Sequence, residues 1–152
     1  MLFGVIVFSI SVSLARGQQV GSAPATTIYD AFAGGIAMLA CPLGTIALGV
    51  TSLVPISLVV DGLVTVALLA GGIATATELR STDCGNIFTL YYNNLLNGGL
   101  LTADGQTVWI LTDQQIMARC NADKASTAFM FISFVVSAIL LVLGFLSHKN
   151  AK

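Results

Sequence analysis

Apolar residues are concentrated in four long runs, and each run has the composition of a membrane-spanning helix. A helix rises about 1.5 Å per residue, so about 20 apolar residues are needed to cross the ~30 Å hydrocarbon core of a bilayer. Three of the runs reach that length, and the first stops short of it. The pattern therefore predicts an all-α integral membrane protein, with helices at about 1–16, 27–50, 54–77 and 125–147.

The first run, Met1 to Ala15, reaches only ~22 Å and fits two interpretations. As a secretory signal peptide it has small residues, Ser13 and Ala15, at the −3 and −1 positions before a cleavage site, but it lacks a basic start beyond the terminal amine. As a first transmembrane helix it is unusually short. The local sequence leaves both interpretations open.

The second and third runs are expected to form a tight antiparallel hairpin. Thr27 and Asp30 have the spacing of a capping box just ahead of the second run. Pro55 suits the first turn of the third helix, where its missing N–H costs little. Only residues 49–53 connect the two runs, so the second helix must turn back directly into the third.

The longest polar stretch, residues 78–124, separates the third run from the fourth and is more acidic than basic. In contrast, residues 148–152 form a short basic tail. Because Lys and Arg are retained on the cytoplasmic side of membranes, we expect a cytoplasmic tail. With four crossings the N-terminus is cytoplasmic too. The prediction is an antiparallel four-helix bundle with one large extracellular loop, 78–124.

Cys84 and Cys120 flank this loop, each near a helix end. In an extracellular or lumenal loop they can oxidise to a disulfide, which would stabilise the fold by roughly 3–4 kcal/mol on the chain-entropy model. The alternative is two free or lipidated thiols. Cys41 lies within the second run, where we expect an inert, small hydrophobic side chain.

Within the loop, aromatic and leucine residues recur at helical spacing over 86–96, which predicts a short helix lying on the membrane surface. The Asn-Gly-Gly sequence at 97–99 ends that pattern. Residues 103–105 predict a turn, and 107–111 a short strand.

Composition and charge exclude two classes of protein. Hydrophobic residues make up 56% of the 152 residues and charged residues only 9%, which is too few for a water-soluble domain of this size. The net charge of −1 excludes a nucleic-acid binder that works through a basic face. The high hydrophobicity excludes an intrinsically disordered chain.

Asp61 is the one acidic residue well inside an apolar run. An intramembrane carboxylate can serve a proton or ion path. It can also make a polar contact inside the bundle, to a hydroxyl on a neighbouring helix. We favour the structural contact, because a single acid without an intramembrane cationic partner does not make a transport pathway.

The sequence Ala-Gly-Gly-Ile-Ala occurs twice, at 33–37 and at 70–74. Small residues let helices approach closely in lipid. Both copies lie where the second and third helices can pack on each other, and the alternative is an oligomer face. We favour packing inside one bundle, through Gly34, Gly35, Gly71 and Gly72.

Catalytic and metal-binding patterns are missing from the sequence. The single histidine, His148, lies in the tail, so neither a Ser/His/Asp triad nor a histidine metal site can form in the membrane. No Gly-Lys-Ser phosphate-binding motif occurs. We therefore expect no enzyme activity, no metal and no cofactor.

Short motifs follow one another along the chain in a fixed order. They are Ser-Val-Ser-Leu and Gly-Ser-Ala-Pro-Ala-Thr-Thr within 11–27, Phe-x-Gly-Gly at 32–35, Leu-Ala-Gly-Gly-Ile-Ala within 61–80, Asp-Cys at 83–84, and Arg-Cys-x-Ala-Asp opening 119–129. The ordered set resembles fungal MARVEL-domain proteins over nearly the whole chain. The resemblance implies a MARVEL-like domain over 1–147, in which Met1–Ala15 is a retained transmembrane helix.

The resemblance also implies a function. We expect a non-enzymatic tetraspan protein that organises membrane subdomains or assists membrane apposition and vesicle traffic, in the plasma membrane or a secretory vesicle membrane. Expected partners are membrane lipids, including sterol- and sphingolipid-rich domains, together with further copies of the chain or other membrane proteins. The alternative is a small transporter or channel, or an accessory subunit of one, with Asp61 as the residue that motivates it.

Overall fold

The computed structural model of the protein describes residues 2–18, 21–50, 53–103, 106–109 and 111–150. The described part is predominantly helical, which confirms the predicted helical class. Two short strands, β1 (Leu100–Ala103) and β2 (Gln106–Trp109), pair in antiparallel fashion, with Leu100 opposite Trp109. The elements in chain order are α1 (Leu2–Arg16), α2 (Ala25–Gly49), α3 (Val54–Leu79), α4 (Ile87–Tyr91), β1 (Leu100–Ala103), β2 (Gln106–Trp109) and α5 (Asp113–Asn150).

Three of the helices are long and apolar enough to cross a membrane: Ala25–Ile46 in α2, Val54–Leu79 in α3 and Asp113–Ser147 in α5. The apolar segment of α1, Phe3–Arg16, is shorter than a typical span. These lengths and compositions are those of a multi-pass membrane protein.

The four long helices pack side by side. α1 lies against α2 and α5, and α3 lies against the same two helices. Adjacent helices run in opposite directions: the end of α1 meets the start of α5 where Arg119 donates a hydrogen bond to the carbonyl of Leu14. Near the other end of α1, the Phe3 and Phe129 rings lie 6.0 Å apart, centroid to centroid.

The distribution of side chains differs from that in a water-soluble protein, because small polar groups share the interior with apolar side chains and many large apolar side chains lie on the exterior. Small polar groups such as Ser11, Thr65, Thr75 and Ser126 are buried between the helices. Large apolar side chains point outward instead, and many are more than half exposed. Examples are Leu39, Leu43, Val59, Leu63, Val66, Leu140 and Leu143. Such a continuous apolar exterior is stable only in an apolar solvent, which is the interior of a bilayer.

α5 begins at Asp113, whereas the sequence analysis placed the fourth helix at 125–147 and the loop at 78–124. The predicted start of the fourth helix at 125 was therefore wrong, and residues 80–112 connect α3 to α5. The charges between 113 and 124 predict a loop because a membrane span must be apolar, but a helix can continue beyond a membrane. The helix starts where Gln115 Oε1 accepts a hydrogen bond from the Thr112 backbone N–H, in the Thr-x-x-Gln spacing of a capping box.

Two smaller expectations are also corrected. α2 begins at Ala25 after Pro24, so Thr27 and Asp30 lie inside the helix and do not cap it. α5 continues through Asn150, so residues 148–150 of the predicted tail belong to this helix. Residues 151 and 152 lie outside the described part.

The connection between α3 and α5 has its own small core, and it packs on the first turns of α5. Its buried side chains are Leu79, Leu90, Leu95, Leu96, Ile116 and Cys120. The predicted surface helix over 86–96 shrinks to the single turn of α4, because Leu95 and Leu96 turn inward. Gly98 and Gly99 then take positive φ angles that favour glycine and lead the chain into the hairpin.

Candidate functional site

Asp30 on α2 and Thr75 on α3 form a buried polar junction near the loop-side ends of the helices. The Thr75 hydroxyl lies 2.8 Å from Asp30 Oδ2 and 2.7 Å from the carbonyl oxygen of Gly71. A hydroxyl has one proton, so it donates to one of these acceptors at a time. Asp30 is only 3% exposed, and its other oxygen, Oδ1, has no partner within the described chain.

Gly71 makes this junction sterically feasible. A Cβ at this position would lie 2.8 Å from Asp30 Oδ1 and 3.4 Å from Met130 Sδ. Any larger residue would have to push back the carboxylate or α5. The glycine therefore brings three helices together around one acidic group.

A second buried acid, Asp123 on α5, interacts electrostatically with Asp30, Arg119 and Glu78. Asp123 is 4% exposed, and its Oδ2 finds no hydrogen-bond donor among the described residues. Its backbone carbonyl accepts a hydrogen bond from the Thr127 hydroxyl one turn later. Two carboxyl groups are thus held inside the helices, and the Arg119 guanidinium is a cationic neighbour of Asp123.

Arg119 connects α1, the loop and α5. Its Nη2 donates to the Leu14 carbonyl at 2.8 Å, and its Nη1 donates to the Leu96 carbonyl at 3.4 Å. Gly17 makes room for the guanidinium, since a Cβ there would lie 2.7 Å from Nη2. The same side chain lines a groove of about 520 Å³ between α1 and α5.

A disulfide joins Cys84 to Cys120, whose Cα atoms lie 5.7 Å apart. This is the pair selected from the sequence, and the bond fastens the loop to the second turn of α5. The Tyr91 hydroxyl donates a further hydrogen bond to Asp113 Oδ1 at 2.8 Å, which raises the pKa of the Tyr91 phenol above its ordinary value. The loop is therefore held against α5 by covalent and polar links together.

Asp61 lines a cleft of about 380 Å³ to which all four long helices contribute. The hydroxyl contact expected for its carboxylate is not present in the described part of the chain. The Thr65 hydroxyl donates instead to the backbone carbonyl of Asp61. Ser133 on α5 also lines the cleft; it is 6% exposed, and its hydroxyl has no partner among the described residues.

The two glycine pairs do not pack against each other, which corrects the expectation that both lie between α2 and α3. Gly34 and Gly35 face Phe8 on α1, and a Cβ at Gly34 would lie 2.7 Å from the Phe8 backbone nitrogen. Gly72 faces Phe131 on α5. Gly71 alone lies at α2, against Asp30. The repeated sequence serves two different interfaces.

Sequence reasoning missed the junction because it judged each charge by its place in a run. The sequence pattern predicts a helix cap at Asp30 and places Asp123 in the loop. Spacing along the helices could have indicated the junction, because residues four apart share a helix face. The pairs with this spacing are Asp30 and Gly34, Gly71 and Thr75, and Asp123 and Thr127. Each pair places a polar group and a small residue on one helix face.

Within the described ranges, no group of three or more His, Cys, Asp or Glu residues is arranged to hold a metal ion. A family model described as a membrane-associating domain, MARVEL, matches residues 1–143. No curated protein and no solved structure matches the chain. The family match covers all four long helices except the last residues of α5.

Proposed function

The chain belongs to the MARVEL family of membrane-associating domains, and from that premise we propose that it organises membrane subdomains or assists membrane apposition and vesicle traffic. It does so without catalysis, by lateral association and lipid contact through its helix faces. The observation that carries this proposal is the apolar exterior, where many large apolar side chains are more than half exposed. That exterior is where lipids and neighbouring membrane proteins make contact.

In this proposal all four long helices cross the membrane as a bundle, with both termini cytoplasmic and residues 80–112 outside. Two observations support the orientation. The C-terminal residues are basic, as is usual on the cytoplasmic side. The connection between α3 and α5 carries the disulfide, which persists in the oxidising compartments reached by secretion. The proposed location is the plasma membrane or a secretory vesicle membrane.

The proposed partners are membrane lipids, including sterol- and sphingolipid-rich domains, and further copies of the chain or other membrane proteins. The lipid-facing side chains of α3 and α5 support this. Val59, Leu63 and Val66 follow one face of α3, and Ile139 and Leu143 one face of α5, all more than half exposed. Apolar stripes of this kind are available to acyl chains and to other helices alike.

Lateral distribution tests the proposal. The protein, fused to a fluorescent protein at its C-terminus, is imaged in living cells and in giant vesicles that separate into ordered and disordered lipid phases. We expect patches in cells and unequal partition between the two phases. A lipid-anchored fluorescent protein at equal density serves as the control. A uniform distribution in cells and in vesicles, equal to that of the control, would refute the proposal.

The second candidate is a small transporter or channel, or an accessory subunit of one, and the cleft at Asp61 favours it. That cleft places a carboxyl between all four helices. Purified protein in liposomes should then conduct ions or solutes above the empty-liposome rate, and Asp61→Asn should abolish the flux. Ser57→Ala is a matched control, since Ser57 lies one turn earlier on α3 and donates only to the carbonyl of Val54.

A further inference from the structure

The groove between α1 and α5 has the size of a ligand site and lies toward the loop-side end of the bundle. Its volume of about 520 Å³ falls within the roughly 300–1,000 Å³ of typical ligand pockets. The side chains along it are accessible: Ser13 on α1 and Ala118 on α5 are exposed, and Ile10 and Arg119 are partly buried. A ligand can therefore contact the walls of the groove without displacing the core of the bundle.

Among the described residues that line the groove, Arg119 alone is charged. Its Nη1 and Nη2 donate to the backbone carbonyls of Leu96 and Leu14, so neither of these hydrogen bonds goes to a carboxylate. A guanidinium carries five N–H donors, and these two bonds leave three. Asp123 acts on the guanidinium electrostatically, but it is 4% exposed and does not line the groove. Charges shielded from water are normally paired, so the groove favours an anionic group.

The polar end of the groove carries further hydrogen-bond donors beside the guanidinium. Gly17 lies against Arg119, since a Cβ there would be 2.7 Å from Nη2, and its backbone N–H donates to the Ser13 carbonyl at 3.0 Å. Gln115 lies one helical turn before Arg119 on α5. The Ser13 hydroxyl and the Gln115 amide both have N–H or O–H groups to donate. This end is therefore suited to a group with several acceptor oxygens.

From the polar end the groove continues toward the middle of the helices. Because α1 and α5 run in opposite directions, Ile10 lies one turn further from the loop than Leu14, and Ala122 one turn further than Ala118. Apart from Ser9, the side chains in this part are apolar. A charged end near the loop and apolar walls toward the middle match a membrane lipid, whose headgroup lies at the surface and whose acyl chains point inward.

We propose that this groove binds an anionic phospholipid, with the phosphate at the Arg119 guanidinium and one acyl chain along Ile10 and Ala122. Arginine pairs with phosphate through two parallel N–H···O bonds. The inference rests on the proposed function, because it requires lipid contact at a helix face and a membrane surface at this end of the bundle. Its test measures binding to the isolated protein, whereas lateral distribution tests membrane organisation, so each can fail without the other.

Native mass spectrometry of the protein released from detergent micelles counts the bound lipid molecules directly. The purified protein is titrated with dilauroylphosphatidylglycerol or with dilauroylglycerol, which has the same acyl chains and lacks the phosphate. We expect phosphatidylglycerol to form a one-to-one complex at a concentration about tenfold lower than dilauroylglycerol, as the gain of a charge-assisted hydrogen bond implies.

Two variants locate the bound lipid. Ala118→Leu narrows the groove and keeps the guanidinium, and we expect it to weaken the binding of phosphatidylglycerol. Arg119→Met should abolish the preference for phosphatidylglycerol over dilauroylglycerol. Ala128→Leu is the control and should leave binding unchanged, since Ala128 is exposed on the same helix and does not line the groove. An intact disulfide and cooperative thermal unfolding verify that each variant is folded.

Three results would overturn the proposal. Equal binding of the two lipids by the wild type would mean that the groove does not recognise a phosphate. Undiminished binding in Ala118→Leu would mean that the phospholipid binds elsewhere. A dimer that persists at every lipid concentration and is lost in Ala118→Leu would mean that a second copy of the chain occupies the groove. The first comparison needs only the wild-type protein, so a variant that fails to fold leaves the test intact.

Discussion

The hydroxyl of Thr75 and the carboxylate of Asp30 link α3 to α2 through a hydrogen bond of 2.8 Å that is almost closed to solvent. Between helices in lipid there is no hydrophobic driving force, so close packing and polar contacts determine which faces meet. Thr75 is 1% exposed and Asp30 3% exposed, so water cannot replace the bond. This pair therefore contributes a buried contact to the register of α2 against α3, beside two exposed hydrogen bonds in which the Tyr29 hydroxyl donates to the carbonyl of Ala67 and the Thr26 hydroxyl to Glu78 Oε2.

Replacing Thr75 with valine keeps the shape of the side chain and removes the donor. We expect Thr75→Val to lower the free energy of unfolding by about 1–2 kcal/mol, because a buried carboxylate loses a hydrogen bond. Thermal unfolding in detergent measures the change. Thr77→Val is the control, since Thr77 is exposed and bonds only to the carbonyl of Ala74 within its own helix. Equal stability of the two variants would contradict the role assigned to the junction.

Gly34 tests the contact between α1 and α2. Because a Cβ there would lie 2.7 Å from the backbone nitrogen of Phe8, Gly34→Ala should destabilise the protein by roughly 1–3 kcal/mol. Gly62→Ala is the matched control: nothing lies within 4 Å of its Cβ position, and alanine is the better helix former by about 0.5–1 kcal/mol. Thermal unfolding should therefore separate the two variants in opposite directions. A stable Gly34→Ala would show that α1 moves away at little cost.

The pattern of apolar runs was sufficient to predict the helices, and it failed where a helix leaves the membrane. α1 and α3 begin where the apolar runs begin. In these two segments the part of the chain that is apolar and the part that is helical start at nearly the same residue. α5 extends back to Asp113 through charged turns that a bilayer would exclude. The sequence signal for this helix start is the spacing of Thr112 and Gln115, which is that of a capping box.

The interior polar contacts could be predicted less well, because they depend on which helix faces which. A glycine pair predicts that another helix packs closely there, but it does not indicate which helix. Gly34 faces α1. Asp61 stands out in the sequence because it interrupts an apolar run. Asp30 and Asp123 lie at the edges of apolar runs, where a charged residue is common and does not indicate a buried site. The pairing of Cys84 with Cys120 could be predicted because it requires only that α3 and α5 lie antiparallel, which brings the two ends of the connection together.

Arg119 tests how α1 is attached to the loop. Arg119→Met keeps an unbranched side chain and removes the hydrogen bonds to the carbonyls of Leu14 and Leu96. We expect faster amide hydrogen exchange at the end of α1 and at residues 96–99, measured by mass spectrometry, because both segments lose their common anchor. Arg80→Met is the control, since Arg80 is exposed. Unchanged exchange in both segments would show that the Arg119 hydrogen bonds do not anchor them.

The last prediction concerns the disulfide itself. Peptide mapping without reductant should recover one cross-linked peptide containing Cys84 and Cys120, and alkylated Cys41. Replacing both bonded cysteines with alanine should lower the free energy of unfolding by about 3–4 kcal/mol, because a loop with a sequence separation of 36 is no longer closed in the unfolded chain. Cys41→Ala is the control and should cost much less. Recovery of all three thiols alkylated without reductant would refute the bond and remove the main chemical support for placing this loop outside the cytoplasm.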